Sequence, residues 1–493
     1  MHRCPETKMP VPNRAGKKSD MRNLLFSFFT MTTVLGLASC VSIEVPELPD
    51  SDVPLAWVGP QTEDAEIWPR LSWWENFRDA ELNEIVQDVK VSNLDLQNNR
   101  RNLEAAQISL QEAGFNLLPI PTVRIGTGAS YSENLGGSEA ENSPGNPFAL
   151  SGALNYNDIL SRPAIFDSAL ADFQARRAQI ANTALNTLGT AASTYFQVLL
   201  IRDQIDAAQQ NLLNAEAIGN ITQARVDAGV AVPINALQQQ IAIQQQRTNL
   251  QSLRQNELSA LASLALLLGR SVQDFNISGS TLQNIMIPTL RPGIPSELLR
   301  RRPDLVQAEA DLMRTTAQAE LARLDFFPSI SLTGGINASS TSLTELVSSP
   351  DAILNLGADL SQLILDNGAR SRNLDQNRLT LENSLNLYRR AVLSAFNEIE
   401  VLLSNIQLLQ ELGVVAEQQL AQAEESFRLA EVRYAEGVTD YQTVLTTQNT
   451  LFFQRTALLN NKIQQLNSMV GFYQALGGGW DADDESTMAI ASE

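Results

Sequence analysis

Apolar residues recur at helical spacing along most of the chain. From Leu385 to Tyr434, apolar or small residues stand alternately three and four positions apart over seven heptads, with Gly413 as the one glycine. Such a seam is typical of a coiled coil. At ~1.5 Å per residue, a helix of about 65 residues extends roughly 100 Å. The same periodicity predicts helices over 81–116, 164–227, 233–269, 303–325, 367–435 and 440–476.

Strand patterns are confined to two pairs of short segments. They lie at 119–130 and 148–160, and at 326–337 and 352–363. Each pair flanks a loop rich in Gly, Ser, Asn or Pro, and residues 330–335 show the weak two-residue period of barrel strands. No run of 18 apolar residues follows residue 40, so a membrane span would need a closed barrel. Because small barrels need about eight strands, we expect several chains to share one barrel in a ring.

The two halves of the chain repeat one pattern. Arg225-Val-Asp-Ala-Gly229-Val recurs 208 residues later as Arg433-Tyr-Ala-Glu-Gly437-Val. Each half reads as helix, two strands, long helix, tight turn and helix, which indicates a duplication and not three independent domains. We therefore predict a first repeat over 71–290, a second over 291–476 and an acidic tail over 477–493.

The N-terminus has the pattern of an export signal. Arg22 precedes an apolar stretch that small residues end before Cys40, so we predict a signal peptide over 1–39, with Met21 as an alternative start. The run Leu37-Ala38-Ser39-Cys40 resembles the lipobox of bacterial lipoproteins, whose cysteine is acylated, with palmitate among its chains. The alternative is an ordinary signal peptide followed by an unpaired cysteine. Prolines and acids predict an extended linker over 40–70.

Several chemistries are absent from the composition. The only histidine is His2 and the only cysteines are Cys4 and Cys40, while no Gly-Lys-Ser/Thr run occurs. This excludes histidine-based triads, His/Cys metal sites and phosphate-binding loops, so we expect no enzyme activity, no metal and no cofactor. Residues 40–493 carry 29 basic and 53 acidic side chains, a net charge of −24, which argues against nucleic acid as a partner.

The motifs along the chain resemble those of one family. They are Trp73-Trp74, Asn93-Leu94-Asp95-Leu96, Gly293-Ile-Pro295-Ser296, Arg301-Arg302-Pro303-Asp304, Phe327-Pro328-Ser329-Ile330 and Leu476-Gly477-Gly478-Gly479-Trp480. Together they are similar to those of TolC-like outer-membrane efflux proteins, in the lipoprotein branch that serves resistance-nodulation-division pumps. The resemblance covers residues from about Cys40 to Trp480.

The resemblance implies a mainly α fold with a small β part. In it, a long coiled-coil α-barrel continues from a 12-stranded outer-membrane β-barrel, to which each chain of a homotrimer gives four strands. The channel would export small solutes received from an inner-membrane pump and a periplasmic adaptor, without catalysis of its own. Two alternatives stay open: an exit duct for type I protein secretion, and a periplasmic coiled-coil scaffold or adhesin.

The predicted site lies at the two turns that end the long helices. Gly229 and Gly437 suit the left-handed residue after a helix, and Asp440 suits the cap of the next one. The resemblance implies that these turns close the tunnel and contact the adaptor. We therefore include Arg225, Arg433 and Tyr434, which stand next to the turns, in the predicted site. Many relatives have an aspartate where this chain has Thr446, so we expect closure to depend on packing and on hydrogen bonds of Arg433, Tyr434 and Asp440.

Other conspicuous residues have structural interpretations. We expect Trp73 and Trp74 in the core, Pro303 and Asp304 at a helix start, and Arg301 and Arg302 in folding. The two glutamine runs, 238–240 and 244–246, are expected to face water.

Overall fold

A computed structural model describes residues 54, 56–59, 68–127, 148–289, 292–340, 342–348 and 351–480. The predicted signal peptide, Cys40, most of the linker and the tail beyond Trp480 lie outside these residues. The described chain divides into two compact units. One contains residues 118–164 and 317–379, and the other contains the remaining described residues up to 117, from 165 to 316 and from 380 onward.

The first unit contains one antiparallel sheet. Its strands, in spatial and chain order, are β1 (Ile120–Thr127), β2 (Phe148–Tyr156), β3 (Ser329–Ser340) and β4 (Asp351–Ser361). The hairpins β1–β2 and β3–β4 come from the two repeats, and β2 pairs with β3 to join them, with Gly152 opposite Ile336. The four predicted strands are thereby confirmed.

Several strand limits differ from the predicted ones, and two of the differences have local reasons. β2 ends at Tyr156 because Asp158 adopts a positive φ of 48°, which turns the chain into the next helix. β3 begins at Ser329 because Phe326 and Phe327 still belong to the hydrogen-bonded turn after the preceding helix. Most large apolar side chains of the sheet are exposed, and those of Val123, Ile125 and Leu356 are between 73% and 80% accessible.

Long helices dominate the rest of the described chain. They are α1 (Ala80–Ser92), α2 (Leu94–Phe115), α3 (Arg162–Asp227), α4 (Pro233–Leu267), α5 (Pro303–Leu324), α6 (Ala369–Ala435) and α7 (Tyr441–Ala475). The 66 residues of α3 and the 67 of α6 correspond to roughly 100 Å each. None of the seam positions of α6 between Leu385 and Tyr434 is exposed, which confirms the coiled-coil interpretation.

The single helix predicted over 81–116 is wrong, because Asn93 divides it. Asn93 has an extended backbone, and its Oδ1 accepts hydrogen bonds from the amides of Asp95 at 3.0 Å and Leu96 at 3.1 Å. Its Nδ2 donates to the carbonyl of Leu267 at 2.9 Å. Asn93 therefore caps α2 and ties the helix boundary to the end of α4.

The core of the second unit is built on aromatic residues. Trp73 and Trp74 are buried, as predicted, and the ring of Trp73 stacks on that of Tyr473 with centroids 5.2 Å apart. Phe77 and Phe196 extend the cluster, with their ring centroids 5.1 Å apart. Such pairs add about 0.5–1.5 kcal/mol each beyond the burial of their surface.

Two of the sequence motifs meet in this unit. Arg302 forms ion pairs with Asp304 at 2.8 Å and Glu398 at 2.7 Å, and it donates to the carbonyl of Ala475. Burial opposes its charge, but the two carboxylates raise the pKa of Arg302 above its usual value. A Cβ on Gly477 would lie 1.8 Å from the carbonyl oxygen of Arg301. The expectation that these arginines serve folding is confirmed for Arg302, and Pro303 does begin α5.

Candidate functional site

The turns that end α3 and α6 share one backbone geometry. Gly229 and Gly437 have φ values of 73° and 79°, as predicted for a residue that ends a helix in the left-handed conformation. In both turns the amide after the glycine bonds back to a carbonyl five residues earlier, which closes a Schellman motif. The bonds are Val230 N to Arg225 O at 2.9 Å and Val438 N to Arg433 O at 2.8 Å.

The two helices that follow the turns begin differently. Asp440 caps α7, because its Oδ1 accepts from the Thr443 amide at 2.8 Å and from the Thr443 hydroxyl at 2.6 Å. These bonds lower the pKa of Asp440. By contrast, α4 begins with Pro233, whose fixed φ suits the first helical position and which needs no capped amide. The predicted cap at Asp440 is confirmed.

Arg225 connects the two repeats at this point. Its Nη1 donates to the carbonyl of Tyr434 at 3.0 Å, and its guanidinium lies 4.9 Å from the centroid of the Tyr434 ring. This position allows a cation–π contact in addition to the hydrogen bond. A Cβ on Gly437 would lie 3.3 Å from the same Nη1, so the glycine leaves room for the guanidinium. The structure therefore brings Arg225, Tyr434 and Gly437 together.

Tyr434 makes a second contact with α3, the helix that also carries Arg225. Its side chain is buried, and its hydroxyl lies 3.2 Å from the hydroxyl of Thr222, which is also buried. The ring of Tyr441, on α7, is 6.2 Å from that of Tyr434. The end of α6 is thus fixed against α3 by a backbone contact, a ring contact and a hydroxyl contact.

Gln239 is a buried residue of the site that sequence reasoning missed. Only 1% of its surface is exposed, whereas Gln238 and Gln240 face solvent, so the expectation that the whole run faces water is wrong for Gln239. Its Nε2 donates to the carbonyl of Ala215 at 2.7 Å, and its Oε1 accepts from the Tyr441 hydroxyl at 2.8 Å. The sequence spacing is compatible with burial, since Gln239 stands four residues before the half-buried Ile243 and eleven residues before the buried Leu250, on the same face of α4.

Comparison with known proteins decides the family. The model of the outer membrane efflux protein family matches residues 85–270 and 294–478, one segment in each repeat and together more than half of the chain. The chain belongs to the outer membrane efflux protein family. It is an outer-membrane channel of the efflux type that works in tripartite pumps, and a periplasmic scaffold or adhesin is no longer an alternative.

Relatives and solved structures agree with this assignment. The pyoverdine export outer membrane protein OpmQ of Pseudomonas aeruginosa is 32% identical over 83% of this chain and 88% of its own length. The cation efflux system protein CusC of Escherichia coli is 28% identical over 84% of this chain and 90% of its own. The open state of the Neisseria gonorrhoeae MtrE channel has the same fold, with a TM-score of 0.76, 24% identity and coverage of 90% of this chain and 99% of that one.

Other predicted site residues of this efflux channel have no such contacts. The side chain of Arg433 is exposed, and its backbone carbonyl accepts from the amides of Val438 and Thr439. Thr446 is also exposed, and its hydroxyl donates to the carbonyl of Gln442 at 2.8 Å within α7. Cys40, the predicted lipid anchor, lies outside the described residues. The roles assigned to these three residues stay predictions.

Exposed apolar side chains surround the two turns. Five of them are between 58% and 64% accessible: Val230, Val232, Ile234, Leu237 and Val438. A cluster of apolar side chains in contact with water is typical of a surface that another protein covers. Sequence patterning could not distinguish these residues from seam residues, because both groups are apolar at helical spacing.

Proposed function

We propose that three copies of this efflux protein form one exit duct and that the turns at Gly229 and Gly437 close it. More than one copy is needed because the described chain gives four strands, with β1 and β4 at the free edges of the sheet. The number three is the one at which the homologous channels work. Edges of this kind pair with another chain, and three copies give twelve strands, enough for a closed barrel.

A second apolar stripe on α6 supports the assembly. Val401, Leu408, Leu412 and Val415 are between 45% and 67% exposed and stand seven, four and three residues apart. This is heptad spacing on a face other than the buried seam. Among the described helices, α6 alone has a stretch apolar enough for a membrane span by composition, and only 22% of that stretch is buried. A neighbouring helix of a second copy would cover the stripe.

The contact of Arg225 with Tyr434 is the observation that supports the gate. Opening the duct at the turns requires the α6–α7 hairpin to move away from α3, which breaks this contact and the Tyr434–Thr222 bond. No carboxylate at Thr446 contributes to closure. The exposed apolar residues of the turns, together with the exposed Arg433, form the surface for a periplasmic adaptor, which transmits the action of a resistance-nodulation-division pump.

We further propose a lipid anchor and no catalysis. Acylation of Cys40 would hold the N-terminus in the outer-membrane lipid, since several acyl chains on one residue bind a membrane firmly. The energy for export comes from the pump. The exported substrates are small solutes, and because two relatives are named as pyoverdine exporters, a pyoverdine belongs in the panel that tests them.

Two experiments test the proposal. Deletion of the gene, followed by growth on a panel of drugs, dyes, metals and a pyoverdine, is expected to raise sensitivity or reduce export for at least one solute. Complementation with wild type and with Cys40→Ala separates export from anchoring. An unchanged phenotype across the panel would contradict efflux.

The gate is tested on purified protein in planar bilayers. Arg225→Ala is expected to raise the conductance of the resting channel, while Arg428→Ala, at an exposed position of α6 outside the turns, leaves it unchanged. Equal conductance of wild type and Arg225→Ala would rule out closure by this contact.

A further inference from the structure

Gln239 lies where α4 packs tightly against Gly219 of α3. A Cβ on Gly219 of α3 would be 3.1 Å from Cδ1 of Ile243 and 3.6 Å from Cγ of Gln239. The absence of a side chain at Gly219 therefore lets the first turns of α4 approach α3 and places an amide group between them. The amide is out of reach of water, with 1% of the residue exposed.

The two bonds of Gln239 use both functions of the amide. The NH2 group donates to a carbonyl of α3, and the oxygen accepts from Tyr441, the first residue of α7. Burial, with a smaller effect of Tyr434, raises the pKa of Tyr441 to about 12, so the hydroxyl remains a neutral donor at physiological pH. A single side chain of the first repeat thus holds the start of the last helix.

We propose that Gln239 is a positioning residue of the gate: it pins the first turn of α7, through Tyr441, to α3 and α4. The inference deepens the proposed function and rests on it, because it takes the turns as the gate. Arg225 holds the end of α6, and Gln239 holds the beginning of α7. Both sides of the second turn are then tied to the first repeat, and opening must release both.

The test uses planar-bilayer recordings of the full-length protein. Tyr441→Phe removes the bond between Tyr441 and Gln239 and is expected to raise the open fraction about tenfold, the effect of one buried hydrogen bond. Gln239→Leu removes this bond and the one to Ala215, and is expected to raise the open fraction at least as much. The double variant is expected to open no further than Gln239→Leu alone, because the bond that Tyr441→Phe removes is already absent there. Gln238→Leu, on the exposed face of the same turn, is the matched control and stays at the wild-type level.

Gln239→Glu separates positioning from packing. A protonated glutamic acid can donate to Ala215 O and accept from Tyr441, as glutamine does, whereas an ionised one repels the carbonyl of Ala215. Burial raises the pKa of such a carboxyl, so the variant is expected to behave as wild type at pH 5 and to open like Gln239→Leu at pH 8.

The charged and titratable groups around this position are Tyr441, Tyr434, Arg225, the capping Asp440 and the exposed pair of Glu216 and Arg247. The pKa of Tyr441 is raised and that of Asp440 is lowered, so neither group titrates between those pH values. Wild type is therefore expected to show no pH dependence of its open fraction in this range.

Three results would overturn the proposal. They are an open fraction of Gln239→Leu equal to that of Gln238→Leu, additive effects in the double variant, and a flat pH profile for Gln239→Glu. If Gln239→Leu does not form trimers by size-exclusion chromatography, Tyr441→Phe and the pH profile decide alone. If Arg225→Ala also fails to open the channel, the gate itself lies elsewhere; if Arg225→Ala opens it and the Gln239 variants do not, only the role of Gln239 is wrong.

Discussion

At the scale of single residues, glycines with the same backbone conformation differ in what surrounds them. Gly229 and Gly477 both have a positive φ. A Cβ would meet nothing within 4 Å at Gly229, but at Gly477 it would lie 1.8 Å from the carbonyl oxygen of Arg301. At position 477, a glycine is therefore required both by the positive φ and by the close approach of the Arg301 backbone. At position 229, only the positive φ requires it.

This difference predicts two sizes of effect. Gly229→Ala is expected to cost about 1 kcal/mol of unfolding free energy through the backbone. Gly477→Ala adds a clash between a side chain and a backbone oxygen and is expected to cost more than about 4 kcal/mol. Thermal unfolding of the two purified variants measures both, and equal losses would show that the clash is relieved at little cost.

Gln448 gives a prediction of opposite sign. It is 1% exposed, and its Nε2 has no hydrogen-bond partner in the described part of the chain. Replacing a buried, unpaired amide by a side chain of similar size removes a desolvation penalty, so Gln448→Leu is expected to raise the unfolding free energy by about 1–3 kcal/mol. Gln239→Leu, where both bonds are made, is the control and should lower it. A loss of stability in Gln448→Leu would contradict the argument.

What could be predicted at this scale depended on the distance to the partner. Gly229, Gly437 and Asp440 were identified because their chemistry involves residues a few positions away. The bonds of Arg225 to Tyr434 and of Tyr441 to Gln239 join residues 209 and 202 positions apart. Hydrophobic periodicity contains no information about such distant pairs. The sequence therefore predicted that Gln239 faces water, although its side chain is buried.

At the scale of helices and strands, periodicity predicted most elements, and capping chemistry corrected one. The break at Asn93 carried its own signature, an asparagine two residues before Asp95, but the apolar periodicity continued across it. Asn93→Ala removes the cap and the bond to α4, and is expected to cost about 1–2 kcal/mol. Asn98→Ala, at an exposed position of α2, serves as the control and is expected to change thermal stability little.

The cap at Asp440 makes the start of α7 sensitive to acid. Its pKa is lowered in the folded protein by its bonds to Thr443. The stability that it gives is therefore complete above the pKa of a free aspartate, about 4, and is lost as the pH falls through the lowered value. Asp440→Asn keeps a capping side chain without a titrating group. Between pH 6 and pH 3, the melting temperature should fall further for wild type than for this variant. Equal falls in the two proteins would assign the acid sensitivity to other groups.

At the scale of the whole molecule, the second apolar stripe of α6 predicts how assembly can be prevented. Val401→Lys places a charge at the most exposed position of the stripe, and we expect it to leave the helix content of the monomer unchanged while reducing trimer formation. Gln410→Lys, an exposed position on the same helix, tests for a general effect of charge. Circular dichroism and size-exclusion chromatography in detergent give the two readouts. Normal trimers of Val401→Lys would place the subunit interface elsewhere.

The pairing of β2 with β3 has a consequence for biogenesis. Tyr156 pairs with Leu332, 176 residues further along the chain. Closing a loop of that length costs entropy before any contact repays it, so this pairing forms slowly compared with the helices. Until the second repeat has been exported, the β1–β2 hairpin exists with an unsatisfied, apolar edge. An exported chain of this kind therefore depends on the cell to keep that edge from aggregating during the delay between its two halves.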